Sequence, residues 1–152
     1  MKIIRAKDKY HLDFAQREYR VLTDLLKLYP CVPPAHQPLS KSGQLADAES
    51  ARQLLDEALA GQRAENKKRL QTLLANPHRK QETDTGFRLC LAPSDVEWLL
   101  QVLNDIRVGS WVLLGSPEDE MKPKLLNEKT APHYWAMEMS GYFQAQLLDA
   151  VG

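Results

Sequence analysis

The sequence predicts an α+β fold, a mainly α domain carrying a small β-sheet and assembled from two pseudo-repeated strand-helix-helix units. Three observations predict it. One stretch occurs twice: HLDFAQREYRVLTDLLKLY from His11 is echoed by RLCLAPSDVEWLLQVLNDI from Arg88, so Leu12 falls on Leu89, Phe14 on Leu91, Glu18 on Asp95, Leu22 on Leu99 and Leu26 on Leu103. In both copies a period of two gives way to a period of 3.6, the pattern of a strand that runs into an amphipathic helix. Between the copies, residues 46–75 are rich in Ala, Leu, Glu, Gln, Lys and Arg, the strong helix formers. Unit one is placed at about 10–76 and unit two at about 87–151, both in a single domain spanning 1–152.

Taken in order, Lys2–Arg5 and Tyr10–Asp13 read as short strands that the polar stretch from Ala6 to Lys9 closes into a hairpin. Asp13 stands where an N-cap is expected, with Gln16 three residues on, and the helix that follows carries Val21, Leu22, Leu25, Leu26 and Tyr29 on one stripe as far as Pro30. A proline-rich connector with Pro30, Pro33, Pro34 and Pro38 then reads as loop. In the middle segment Leu54, Leu55, Ala58 and Leu59 precede Gly61, while Leu70, Leu73 and Leu74 follow it, which predicts a kinked helix or two consecutive ones. His78–Gly86 is polar and reads as a mobile connection. Phe87, Leu89 and Leu91 alternate as the second strand. Pro93 at a first helical turn, with Ser94 and Glu97 in capping-box spacing, opens a helix to about Leu114 so apolar that its place is the domain centre. After a charged linker, Glu118–Lys129, a last helix runs from Pro132 to Val151, with Trp135, Met139, Tyr142 and Phe143 at the spacing of a core stripe.

Composition narrows the functional classes. A chain of 152 residues with 43% hydrophobic and 26% charged residues buries an ordinary globular core. Lys+Arg and Asp+Glu are each 20, and a formal charge of zero disfavours a protein built on phosphate neutralisation. No apolar run approaches the roughly 20 residues of a membrane span, and the first residues lack a secretory core. Cys31 and Cys90 form neither a CxxC pair nor a disulfide framework, so a cytoplasmic protein is expected.

The leading site candidate is LNDIR, because Asn104, Asp105 and Arg107 are polar groups on an otherwise apolar helix. Buried charge must be paired or open onto a cleft, and the structural pairing is the favoured reading of the two. A second candidate is a basic surface of Arg63, Lys67, Lys68 and Arg69, continued by Arg79 and Lys80; a solvated helix face is its favoured reading, an acidic or phosphate partner the other. Cys31 and His36 share the proline-rich loop, but closeness in sequence is not the geometry that activates a thiol. No His pair, phosphate loop or dinucleotide fingerprint occurs, so neither cofactor nor metal is expected.

Leu91-Ala92-Pro93-Ser94-Asp95, Leu103-Asn104-Asp105-Ile106-Arg107, and Leu114-Gly115 before Glu118-Asp119-Glu120 resemble the pattern of a family of uncharacterised bacterial proteins best known from actinobacteria. The chain departs from that pattern at its proline-rich loop and at Trp111. The resemblance carries no catalytic residues across; the family's frequent gene neighbour, the Clp protease adaptor, implies a link to regulated proteolysis. The expectation is therefore a non-enzymatic interaction or regulatory protein whose partner is another protein, with homo-oligomerisation left open. Two alternatives stand beside it: a small hydrolase using Asp105 or Glu97 in a cleft between the units, and a nucleic-acid binder acting through the basic helix.

Overall fold

The structure, a computed structural model, describes residues 1–31, 45–118 and 127–152, with the backbone alone described over 45–48. Alternation dictates its first elements. β1 (Lys2–Ala6) and β2 (Lys9–Ala15) form an antiparallel hairpin in which Ile3 faces Leu12, and β2 runs straight into α1 (Gln16–Leu26). The long helix α2 (Leu45–Ala75) follows. A second hairpin, β3 (Lys80–Glu82) and β4 (Gly86–Leu91), sets Lys80 opposite Leu89 and runs into α3 (Pro93–Leu113), and α4 (Ala131–Val151) closes the chain.

The four strands make one antiparallel sheet in the order β1-β2-β4-β3. In its central pair Tyr10 faces Leu91, Leu12 faces Leu89 and Phe14 faces Phe87. Because side chains alternate across a strand, Tyr10, Leu12, Phe14, Leu89 and Leu91 are buried, while on the other face Asp13 takes a bidentate bond from Arg88 at 2.6 and 3.0 Å. Gly86 is required by a close approach: a Cβ there would lie 2.0 Å from the Phe14 carbonyl oxygen. Helix α3 is central as expected, its Val96, Leu99, Val102, Leu103 and Ile106 buried among residues that include Leu22, Leu25, Phe143 and Leu147.

Several expectations are corrected. Neither Asp13 nor Ser94 caps a helix. Asp13 is held in β2 by its strand partners and by Arg88, and Pro93 already occupies the first helical turn, so the N-caps are Ala15 and Ala92. An alanine has no side-chain acceptor. Instead its backbone N–H donates to a carboxylate three residues on, Ala15 to Glu18 Oε1 at 3.1 Å and Ala92 to Asp95 Oδ2 at 3.0 Å. Gly61 does not divide α2, since one glycine costs only about 1 kcal/mol in a helix of otherwise strong formers. The expected stripe before it is not a core stripe: Leu54 is 69% exposed, and among the described side chains of α2 those buried are Arg63, Leu70 and Leu73. α1 ends at Leu26 rather than Pro30, and β3 lies inside the stretch read as mobile. Of the aromatic stripe on α4, Phe143 is core but Trp135 and Tyr142 stand exposed. No described helix is long and apolar enough to cross a membrane.

Candidate functional site

Helix α3 divides the LNDIR segment. Leu103 and Ile106 enter the core, and one turn of helix sends Asp105 to one side and Asn104 with Arg107 to the other. On the first side Asp105 Oδ2 accepts the Cys31 backbone N–H at 3.4 Å, and Oδ1 lies 3.9 Å from Arg63 Nη2. Cys31 Sγ is 3.5 Å from the hydroxyl of the fully buried Ser110. The chain leaving α1 is thereby fastened to α3, and α2 is drawn in through Arg63.

This cluster brings together residues that are far apart in sequence, yet it is poorly equipped for nucleophilic catalysis. Burial pushes the Cys31 thiol up, the Asp105 charge adds to that, and the Ser110 hydrogen bond only partly opposes them. A protonated thiol is a weak nucleophile. His36, the base proposed for it from sequence, lies outside the described residues. Arg63 is nine-tenths buried and its Nη1 has no hydrogen-bond partner, so it acts as a structural cation within the fold rather than as a surface charge.

On the opposite side of α3, Gln144 Nε2 of α4 donates to Asn104 Oδ1 and to the Leu100 carbonyl, both at 3.5 Å. Arg107 lies by Gly141, which together with the Gln144 bonds runs α4 antiparallel to α3. The two helices leave an open groove of about 510 Å³, lined by Arg107, Val108 and Trp111 of α3 and by Glu138 and Tyr142 of α4. Val108 is 43% exposed, Trp111 36% and Tyr142 40%. The Trp111 indole N–H donates to the Pro117 carbonyl at 2.9 Å, which holds the ring in place where it lines the groove. Arg107 Nη2 donates to Asn104 Oδ1 at 3.1 Å, within its own helix. Glu138 was missed from sequence, although Trp135, Glu138 and Tyr142 recur at one-turn spacing and mark a single exposed face.

The basic segment is divided as well. Arg63 turns inward to Asp105. Arg69 donates to Asp95 Oδ1 at 2.7 Å with its guanidinium 4.3 Å from the Trp98 ring centre, and Arg79 pairs with the other Asp95 oxygen. Lys80 lies over the Tyr19 and Phe87 rings at 5.0 and 4.8 Å. Lys67 and Lys68 are left exposed. Burial alone would raise the Asp95 pKa, but the Arg69 hydrogen bond, the Ala92 amide and the charges of Arg79 and Arg69 outweigh it and hold the carboxyl below its ordinary value. Indole N–H of Trp98 donates to Asn66 Oδ1 and Asn66 Nδ2 to the Tyr29 hydroxyl, each at 3.0 Å, which completes a polar seam along α2.

Comparison with protein-family models, with curated proteins and with solved structures finds no match. The reading of the site accordingly rests on its own geometry. Among the described residues no group of three or more His, Cys, Asp or Glu side chains is placed to hold a metal ion.

Proposed function

We propose that this chain is a non-enzymatic interaction protein, built from two related hairpin-helix units, that docks a protein partner in the groove between α3 and α4. The observation that carries the docking reading is the groove itself, where Trp111, Tyr142 and Val108 stand exposed beside one cation and one anion. Aromatic residues and arginine are the side chains enriched in the centres of protein interfaces. The Cys31 and Asp105 cluster favours the same reading over a hydrolase, since its thiol is held protonated and its carboxylate is occupied by Cys31 and Arg63.

Support for two related units comes from the strand registers. Residues 77 positions apart correspond in the sequence echo, as with Leu12 and Leu89. The same spacing relates the Ile3–Leu12 pair to the Lys80–Leu89 pair, the start of α1 at Gln16 to that of α3 at Pro93, and the capping carboxylates Glu18 and Asp95. The Leu12–Leu89 pair would then lie on an approximate twofold axis, consistent with the palindromic strand order. The resemblance to the actinobacterial family adds regulated proteolysis as the setting in which such a protein acts.

The docking reading is tested by the native size of the chain in gentle extracts of cells that express it. The expected result is an assembly heavier than the 17.3 kDa monomer that is lost in Val108→Asp, a change at an exposed position. A chain that migrates as a monomer, or an assembly indifferent to Val108→Asp and to Trp111→Ser, would count against it.

A further inference from the structure

We propose that the occupant of the α3–α4 groove is a second copy of this chain, seated about a twofold axis so that Arg107 of each copy meets the partner's Glu138. The proposal rests on the groove being the docking surface and goes on to name what fills it. Its ground is the charge pattern of the groove. One cation projects from α3 and one anion from α4, with Val108, Trp111 and Tyr142 lining the same surface. A twofold axis that runs along the groove, parallel to the two helices, sets α3 of one copy against α4 of the other, and each contact made by residue i with residue j recurs as j with i. The face is thus its own complement, whereas a foreign partner would need a cation and an anion matched to both positions.

Among the described residues both charges are unspent. Arg107 uses one N–H on Asn104, at 3.1 Å, and among the described residues it has no carboxylate partner. Its remaining donors form the planar fork that grips a carboxylate at two points. Glu138 is exposed and has no hydrogen bond or ion pair among the described residues. The apolar side chains around the pair would exclude water from it on docking, the condition under which an interfacial ion pair strengthens binding. A formal charge of zero on the chain means that two copies approach without net repulsion.

The experiment is sedimentation equilibrium of the full chain from low micromolar to several hundred micromolar. The expected mass rises from 17.3 kDa toward twice that value. Glu138→Arg and Arg107→Glu should each weaken the dimer by about tenfold or more, because like charges then face each other twice, and the double reversal should restore it. Glu138→Gln, which keeps the side-chain shape, should weaken it as well and serves if a reversal fails to fold. A wild-type chain that stays monomeric, single reversals that leave the dimer intact, or a double reversal that does not restore it would each overturn the proposal. A native assembly that contains a different protein and only one copy of this chain would overturn it too, while leaving the docking reading in place; a monomer in both experiments removes both.

Discussion

Asp95→Asn is the substitution that tests most directly how the helices are tied to the sheet. The Asp95 carboxylate is 8% exposed and accepts the Ala92 N–H, Arg69 and Arg79, so one group closes the N-terminus of α3 and gathers cations from α2 and from the approach to β3. Asparagine keeps the shape and one acceptor oxygen but removes the charge. Arg69 and Arg79 are 43% and 34% exposed, so water recovers much of what they lose, and each pair contributes at most about 1 kcal/mol. Weakening of the capping bond adds about 0.5–1 kcal/mol. The expected loss is about 2 kcal/mol, or about 4–8 °C in melting temperature for a domain of this size. The pH dependence carries a sign. A carboxyl whose pKa is lower folded than unfolded contributes stability above the unfolded value, and that stability is lost as pH falls through the folded value. Wild type and variant should therefore differ fully at neutral pH and converge in acid, as the pH falls through the lowered folded-state value of Asp95. Urea unfolding followed by circular dichroism at neutral pH and in acid reads this directly. A difference below about 0.5 kcal/mol at neutral pH, or one that is the same in acid, would refute the reasoning.

Further outcomes follow from the same packing. Leu103→Ala, at a fully buried position of α3, should cost about 2–5 kcal/mol in denaturant unfolding, and a surface-like value under about 0.5 kcal/mol would show α3 to be peripheral. Gly86→Ala should destabilise by about 3 kcal/mol or more, because the new Cβ meets the Phe14 carbonyl and adjoining backbone rather than a side chain that can move; an unchanged melting temperature would contradict the β2–β4 approach. In the native protein Cys31 should be alkylated more slowly than free cysteine at neutral pH, with Asp105→Asn accelerating it, since burial and the Asp105 charge both hold the thiol protonated. Mass spectrometry of timed iodoacetamide reactions measures both rates, and labelling as fast as that of free cysteine would remove the assignment.

The central strands β2 and β4 and helix α3 were legible in the sequence because they are built by short-range pattern. The alternation in Tyr10–Asp13 and Phe87–Leu91, and its switch to helical spacing, follow from which side chains must be buried, and the structure pairs those two segments. β3 was not legible: Lys80, Gln81 and Glu82 show no alternation, and backbone pairing with β4 holds them. The caps were misplaced by two residues because the acceptor side chain belongs to the third helical position and the cap is an alanine. In the candidate site, LNDIR stood out as polar groups on an apolar helix, but its division between two sides depends on where α1, α2 and α4 pack. Cys31 and Arg63 meet Asp105 across sequence separations of 74 and 42 positions, and no spacing rule reports that. Trp135 and Tyr142 were assigned to the core because an aromatic stripe usually is core; here α4 buries Phe143 and presents those two to solvent.

The central claim, that the protein works through the α3–α4 groove, is tested most directly by a photo-reactive side chain placed at one position at a time in living cells. Val108 and Tyr142 line the groove, whereas Glu65 is exposed on α2 away from the groove lining. The account predicts discrete cross-linked species of one defined mass from positions 108 and 142, and none above background from position 65. Equal labelling from all three positions, or a defined species from position 65 alone, would contradict it.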